Sequence, residues 1–331
     1  MNATLPDRLK IWLASNDLDD FRYLLAVSGG ADSVALLRSF HELDSKASQK
    51  FLVAHFNHRL RGEDSDEDER FVQKLCEERD LAVEVGHWDR TEQTNEQTVS
   101  EEFARKERYK FLQQVAERHR SSFIVTAHTA DDQVETILHH IIRGTGFSGL
   151  VGIAARRPLT DRIELVRPFL DVTRKEIEDY LRDIGQNYRT DATNFQCKQT
   201  RSKLRHDLLP LLRNEFNPQI DRALRRLGTQ ASQAEQFLRE YSEKILDAAI
   251  LDLQAEICRL DCSLLQNHPP LIVRECLRLL WEKKNWPRQQ MGFEEWQRLN
   301  DLVHSSGIVS LPHRIRAQRR ENLLILTRSE K

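Results

Sequence analysis

The run Ser28-Gly29-Gly30-Ala31-Asp32-Ser33 puts two glycines, two hydroxyls and a carboxylate where the apolar segment YLLAV gives way to VALL. A chain reversal needs one glycine, and a helix cap needs one Ser or Asp. The surplus suits an anion. A strand that enters a helix through glycines offers backbone N–H groups and the positive end of a helix dipole, and Ser28 and Ser33 add hydroxyl donors. No lysine follows in the G-x-x-x-x-G-K-[ST] arrangement, so this is not the commoner phosphate loop. Asp32 beside a phosphate is repulsive unless Mg2+ lies between them or a nearby cation compensates.

Other clusters have similar potential. In HTADDQVE (128–135), Asp131, Asp132 and Glu135 share one side of a helix start. Such acids suit an amine or a metal cation, although acids at a helix N-terminus also serve as plain dipole partners. HFNHRLRG (55–62) sets Asn57 and His58 at the end of an apolar segment, unless it is only a turn into the acidic stretch EDSDEDE. Arg105 and Arg108 lie about one helical turn apart, able to steady phosphates or simply to face solvent. Gly144 to Gly149 fits G-x-G-x-x-G, but it follows the helical pattern LHHIIRG rather than a strand, which is the wrong context for a dinucleotide fold.

Something must hold these groups together. YLLAVS (23–28), FLVAHF (51–56), LAVEVGHW (81–88) and FIVTAH (123–128) have strand length and β-rich composition. Helical patterns over 32–42, 66–79, 98–119 and 131–142 follow them in turn. Near-continuous apolar strands alternating with helices predict a parallel sheet covered on both faces, a doubly wound α/β fold. Ligands in such sheets lie beyond the carboxyl ends of the strands, where SGGADS, HFNHRLRG and HTADD all begin. From about residue 216 the texture changes to one long helical pattern over 219–249, a helix near 271–284 and the basic piece LPHRIRAQRRENLLILTR. The expected division is a catalytic domain over 1–215, a helical connector over 216–250 and a small α/β domain over 251–331.

Composition sets wider limits. The 331 residues are 39% hydrophobic and 31% charged, enough for a substantial core, and the net charge of −2 gives no global field for nucleic acid. Basic groups are local: Arg201, Lys203 and Arg205, then Arg314, Arg316, Arg319 and Arg320. They suit phosphate contacts or a solvated face. The five cysteines are scattered without a CxxC pair, which argues against a disulfide framework or zinc ribbon. The acid-bearing N-terminus does not read as a signal peptide and no long apolar span follows, so a cytoplasmic, non-membrane protein is expected.

SGGADS has the SGGxDS form of the PP-loop of N-type ATP pyrophosphatases, which implies ATP cleavage between the α- and β-phosphates. With HFNHRLRG, ARKERY, HTADDQVET and RGTGFSGLVGI in that order, and then LVRPFLDVTRKEIEDYL, DATN and RSKLRHDLLPLL, the chain resembles the tRNA(Ile)-lysidine synthetases, short form. The likeness is dense over residues 21–215 and fainter beyond. It implies ATP-driven ligation of free lysine to C2 of the wobble cytidine in the isoleucine tRNA with a CAU anticodon, through an adenylated tRNA, with ATP and Mg2+ as cofactors. It also implies roles: the 28–33 loop on pyrophosphate, Asp32 on Mg2+, and Asn57, His58 and His128 around adenosine. Arg143, Gly144 and Gly146 join the nucleotide set, Arg105 and Arg108 neutralise the adenylate, and Asp131, Asp132 and Glu135 hold lysine or Mg2+. Ser202 stands where the family usually has Asn. A tRNA thiolase of the same superfamily and a non-catalytic, nucleotide-responsive tRNA-binding protein are the alternatives, and a homodimer is compatible with the sequence.

Overall fold

Alternate residues of the central strand β1 (Tyr23–Ala26) face opposite ways, and each face meets its own layer of helices. The computed structural model describes residues 3–18, 21–43, 50–88, 101–189 and 200–329; DATN and the first residues of the 98–119 pattern lie outside them. Tyr23 and Leu25 pack with α1 (Leu5–Ser15), α2 (Ala31–Leu43) and α3 (Glu63–Glu77). Leu24 packs with Leu112, Val115 and Ala116 of α4 (Glu101–Arg118). Strands buried on both sides carry no polar alternation, which is why they read as continuous apolar runs.

The sheet runs β3 (Val83–His87), β2 (Phe51–Asn57), β1, β4 (Phe123–Val125), β6 (Glu164–Val166), β5 (Arg156–Pro158). All pairings are parallel except β5 with β6. The chain leaves β1 toward one edge and returns at β4 to build the other, so the order reverses between β1 and β4. That is where an open α/β sheet leaves a crevice. The loops after both strands open helices, α2 after β1 and α5 (Ala130–Ile142) after β4. Thr129 caps α5 in a reciprocal box with Asp132, and Thr173 caps α7 (Arg174–Asp183) in the same way with Glu176. Between them lies the short α6 (Phe147–Leu150).

The described chain falls into two compact units, 1–228 and 229–331, divided within the helix Ile220–Ala249. In the second unit, five antiparallel strands are ordered β7 (Ile250–Leu253), β8 (Ile257–Asp261), β11 (Leu323–Arg328), β10 (Ile315–Arg320), β9 (Gly307–Leu311). Its core gathers Trp281, Trp286 and Trp296, the last two each edge-on to the ring of Trp281. No described helix is long and apolar enough to cross a membrane.

Candidate active site

The loop after β1 closes on itself. The Ser33 hydroxyl accepts from the backbone N–H groups of Ser28 and Gly29, both at 3.2 Å, and donates to the Gly30 carbonyl at 2.9 Å. The Gly30 N–H reaches the Ser28 hydroxyl at 3.4 Å. The sequence suggests open amides here; instead the first of them share a serine, while those of Ala31, Asp32 and Ser33 start α2 with no acceptor among the described residues. Gly29 sits at φ +96°, a conformation that side chains rarely adopt.

Two cavities meet at this loop. The larger, about 690 Å³, is lined by Ser28, Asp32 and Ser33 on one side and by His55, Asn57, His58, Arg108 and His128 on the other. That is within the range of nucleotide-sized pockets. The smaller, about 110 Å³, is walled by Asp131, Asp132, Glu135, Arg174, Arg205 and Arg213. Asp32 and Asp132 line both.

Asp32 is the strained member. Burial pushes its carboxyl up to about 6, against the pull of Arg174 and with help from Asp132 and Asp131. One of its oxygens, Oδ1, is buried without a hydrogen-bond partner. An orphaned carboxylate oxygen beside a phosphate loop suits a divalent cation. Among the described residues no trio of His, Cys, Asp or Glu forms a ready cage, but Mg2+ is commonly held by one or two carboxylates with phosphates and water completing its shell.

The acids after β4 are divided among tasks. Asp132 accepts from the Thr129 N–H at 2.9 Å through Oδ2, while its Oδ1 lies 3.5 Å from Arg205. Asp131 accepts from the Arg174 N–H at 2.8 Å. Glu135, only 6% exposed, receives both arms of Arg205, at 2.5 and 3.0 Å. Burial still raises its carboxyl above the usual range, with Arg205 opposing. Arg205, which the sequence groups with basic surface residues, therefore stands in the acidic pocket. Arg201 and Lys203 are exposed.

The histidines are held neutral. Burial, then the charge of Arg108, lowers His58 to about 4; burial foremost lowers His128 to about 4, with its Nδ1 2.9 Å from the Thr126 hydroxyl. His55, unremarked in the sequence because it sits mid-strand, is 4% exposed and points Nδ1 at the Val27 carbonyl, leaving Nε2 unpartnered. Asn57 gives its amide N–H groups to Asp66 and Glu69 and its oxygen to the Arg59 N–H, so its side chain holds the turn. Arg143, Gly144 and Gly146 are exposed at the end of α5 and line neither cavity. Arg314, Arg316 and Arg320 belong to the second unit, as does Arg319, which donates to the Val303 carbonyl.

The PP-loop domain family matches residues 3–212. A tRNA(Ile)-lysidine synthase of Rhodopirellula baltica is 33% identical over 86% of this chain and 80% of its own length. The chain belongs to the tRNA(Ile)-lysidine synthase family of PP-loop proteins. Members of that name from Bacteroides thetaiotaomicron and Clostridium acetobutylicum are 38% and 42% identical, and the chain spans 59% and 44% of their lengths. A solved structure, the U34-tRNA thiolase NcsA from Methanococcus maripaludis, covers 68% of this chain and 77% of its own at 16% identity with a TM-score of 0.56, a likeness of fold. Membership in a PP-loop family implies that the chain binds ATP.

Proposed function

We propose that this chain ligates lysine to C2 of the wobble cytidine of the isoleucine tRNA with a CAU anticodon, through an adenylated tRNA, releasing AMP and pyrophosphate. One observation carries the reading: a nucleotide-sized cavity and a small acid-lined cavity share Asp32 and Asp132 as a common wall. An activated carbonyl in the first is thereby brought beside an amine in the second, which is the proximity a ligation needs.

The amides that open α2 and the two serines bind the leaving phosphates and stabilise the charge that develops there. Asp32 and the phosphates hold Mg2+, which supplies charge neutralisation when bound. His58 and His128, kept uncharged, flank the nucleotide and add no repulsion toward an incoming amine. Asp131, Asp132 and Glu135 hold the ammonium of lysine and accept the proton it must lose before attacking C2. Sulfur delivery is disfavoured among the described cysteines: Cys76, Cys258 and Cys276 are buried and burial pushes their thiols up to about 12, 11 and 12.

Incubation with ATP, labelled lysine and total tRNA tests the proposal. Lysine entering one minor tRNA is the expected result; ATP-dependent tRNA binding with no lysine incorporated would favour a non-catalytic role. Asp32→Asn with near-normal lysine incorporation would remove the central residue from the mechanism.

A further inference from the structure

Many arginines in the first unit meet an acid. Arg61 meets Asp68, Arg156 meets Glu164, Arg189 meets Asp68 and Arg213 meets Asp221, at 2.6, 2.7, 2.9 and 2.8 Å. Four others stand close together. Arg105 and Arg108 on α4, Arg157 on β5 and Arg167 just after β6 have no carboxylate partner among the described residues.

These four gather around one aromatic ring. The guanidinium carbons of Arg105, Arg108 and Arg157 lie 5.3, 5.5 and 5.7 Å from the centre of Tyr109. The Tyr109 hydroxyl accepts from Arg105 at 3.5 Å and is near enough to Arg108 and Arg167 to favour their charged forms. Arg167 is 4% exposed; it gives one N–H to the Ala154 carbonyl at 2.5 Å and leaves Nε without a partner. Burial lowers the affinity of both Arg108 and Arg167 for their protons. Like charges collected around a phenol, one of them nearly shut off from water, are costly until an anion fills the centre.

Position indicates which anion. Arg105 and Arg157 are exposed, Arg108 lines the nucleotide cavity and Arg167 is buried, so the charge runs from the surface to the cavity wall. A free nucleotide needs only the inner end of such a run. A nucleic-acid strand that delivers one base into the cavity uses its whole length. We propose that Arg105, Arg108, Arg157 and Arg167 form a cradle, organised by Tyr109, for the phosphodiester backbone of the RNA that carries the base to be modified. The proposal adds Arg157 and Arg167 to the site and rests on RNA being the substrate.

The test is equilibrium binding by the full chain carrying Arg157→Ala or Arg167→Lys. Unmodified isoleucine tRNA is titrated without ATP over a salt series, and a non-hydrolysable ATP analogue is titrated without RNA. With Arg157→Ala, tRNA affinity is expected to fall roughly five- to tenfold and the salt slope by about one phosphate contact, with analogue affinity unchanged. Unchanged tRNA affinity and slope would overturn the cradle. So would a loss confined to the analogue, which assigns these arginines to the nucleotide's own phosphate. Arg157 is exposed on an edge strand, so its variant remains informative even if Arg167→Lys fails to fold. Lysine incorporation by the unaltered protein tests the ligase reading separately: the cradle survives its failure if the tRNA arm behaves as expected.

Discussion

Arg205 reaches across 70 residues of sequence to take both carboxylate oxygens of Glu135. It does so from Leu204–Leu208, a segment wound as a π-helix, with a second such turn at Leu212–Phe216. Pro210, which has no N–H to give, lies between them. Wide turns of this kind commonly mark functional positions. Here one places a guanidinium in the wall of the acid-lined cavity.

Arg205→Ala leaves Glu135 buried and unpaired next to Asp131 and Asp132. Lysine incorporation is expected to fall at least tenfold, with the larger change in KM for lysine. Stability falls by about 1–3 kcal/mol, less than for a fully buried pair because the Arg205 side chain is 36% exposed. Arg205→Lys recovers part of both. Steady-state kinetics and urea unfolding measure the two effects; wild-type values for both would show the pair to be incidental.

The raised carboxyl of Asp32 couples stability to pH. An unfolded Asp ionises near its ordinary value of 3.8, the folded one only at about 6. Below the first value both states hold the proton, and between the two only the folded state does. Above the second, the folded chain carries a buried charge. The contribution to stability is thus full in acid and lost as pH rises through about 6. Asp32→Asn is expected to stabilise the ligand-free protein at mildly alkaline pH by on the order of 3 kcal/mol, read as a higher Tm, and to change it little in acid, while abolishing turnover. Equal Tm values for both proteins across that range would contradict this.

His128 should not titrate in the physiological range. Its ring carbon NMR signals are expected to stay at the neutral position until pH falls toward about 4. His128→Gln therefore leaves the shape of the pH–rate profile between neutral and mildly acidic pH unchanged while lowering its height. A midpoint near the usual histidine value would refute the assignment.

Gly29→Ala tests the loop backbone. A Cβ there meets Val72, Arg189 and Phe71 at ordinary distances of 3.5–3.6 Å, so the penalty comes from φ +96° rather than from crowding. Strain of this kind is worth about 1–3 kcal/mol. ATP affinity should fall at least tenfold, with a matching loss of Tm. Unaltered ATP binding by calorimetry would mean that the loop relaxes freely.

Short-range chemistry was legible in the sequence, and partnership across the chain was not. SGGADS and HTADD announce their places because a β-to-α turn is coded within a few residues. The three-residue strands β5 and β6 escape any periodicity count, and with them went the placement of Arg157 and Arg167 beside Tyr109. Arg205 reads as one of three neighbouring basic residues, and only the fold shows Glu135 opposite it. His55 is hidden by its strand, where a buried polar side chain looks like any inward position. Asn57 was legible as a polar residue at a strand end, but its commitment to Asp66, Glu69 and the Arg59 amide depends on where α3 packs.

The hydroxyl of Ser33 accepts from the Ser28 and Gly29 amides at the place a phosphate oxygen would take. A nucleotide that docks there takes over bonds already made, so the turn need not be ordered on arrival. The exchange also limits the net gain, because each amide leaves one acceptor for another. Such a seat favours repeated occupancy over long residence, which suits an enzyme that must discard a product of this charge at every turnover.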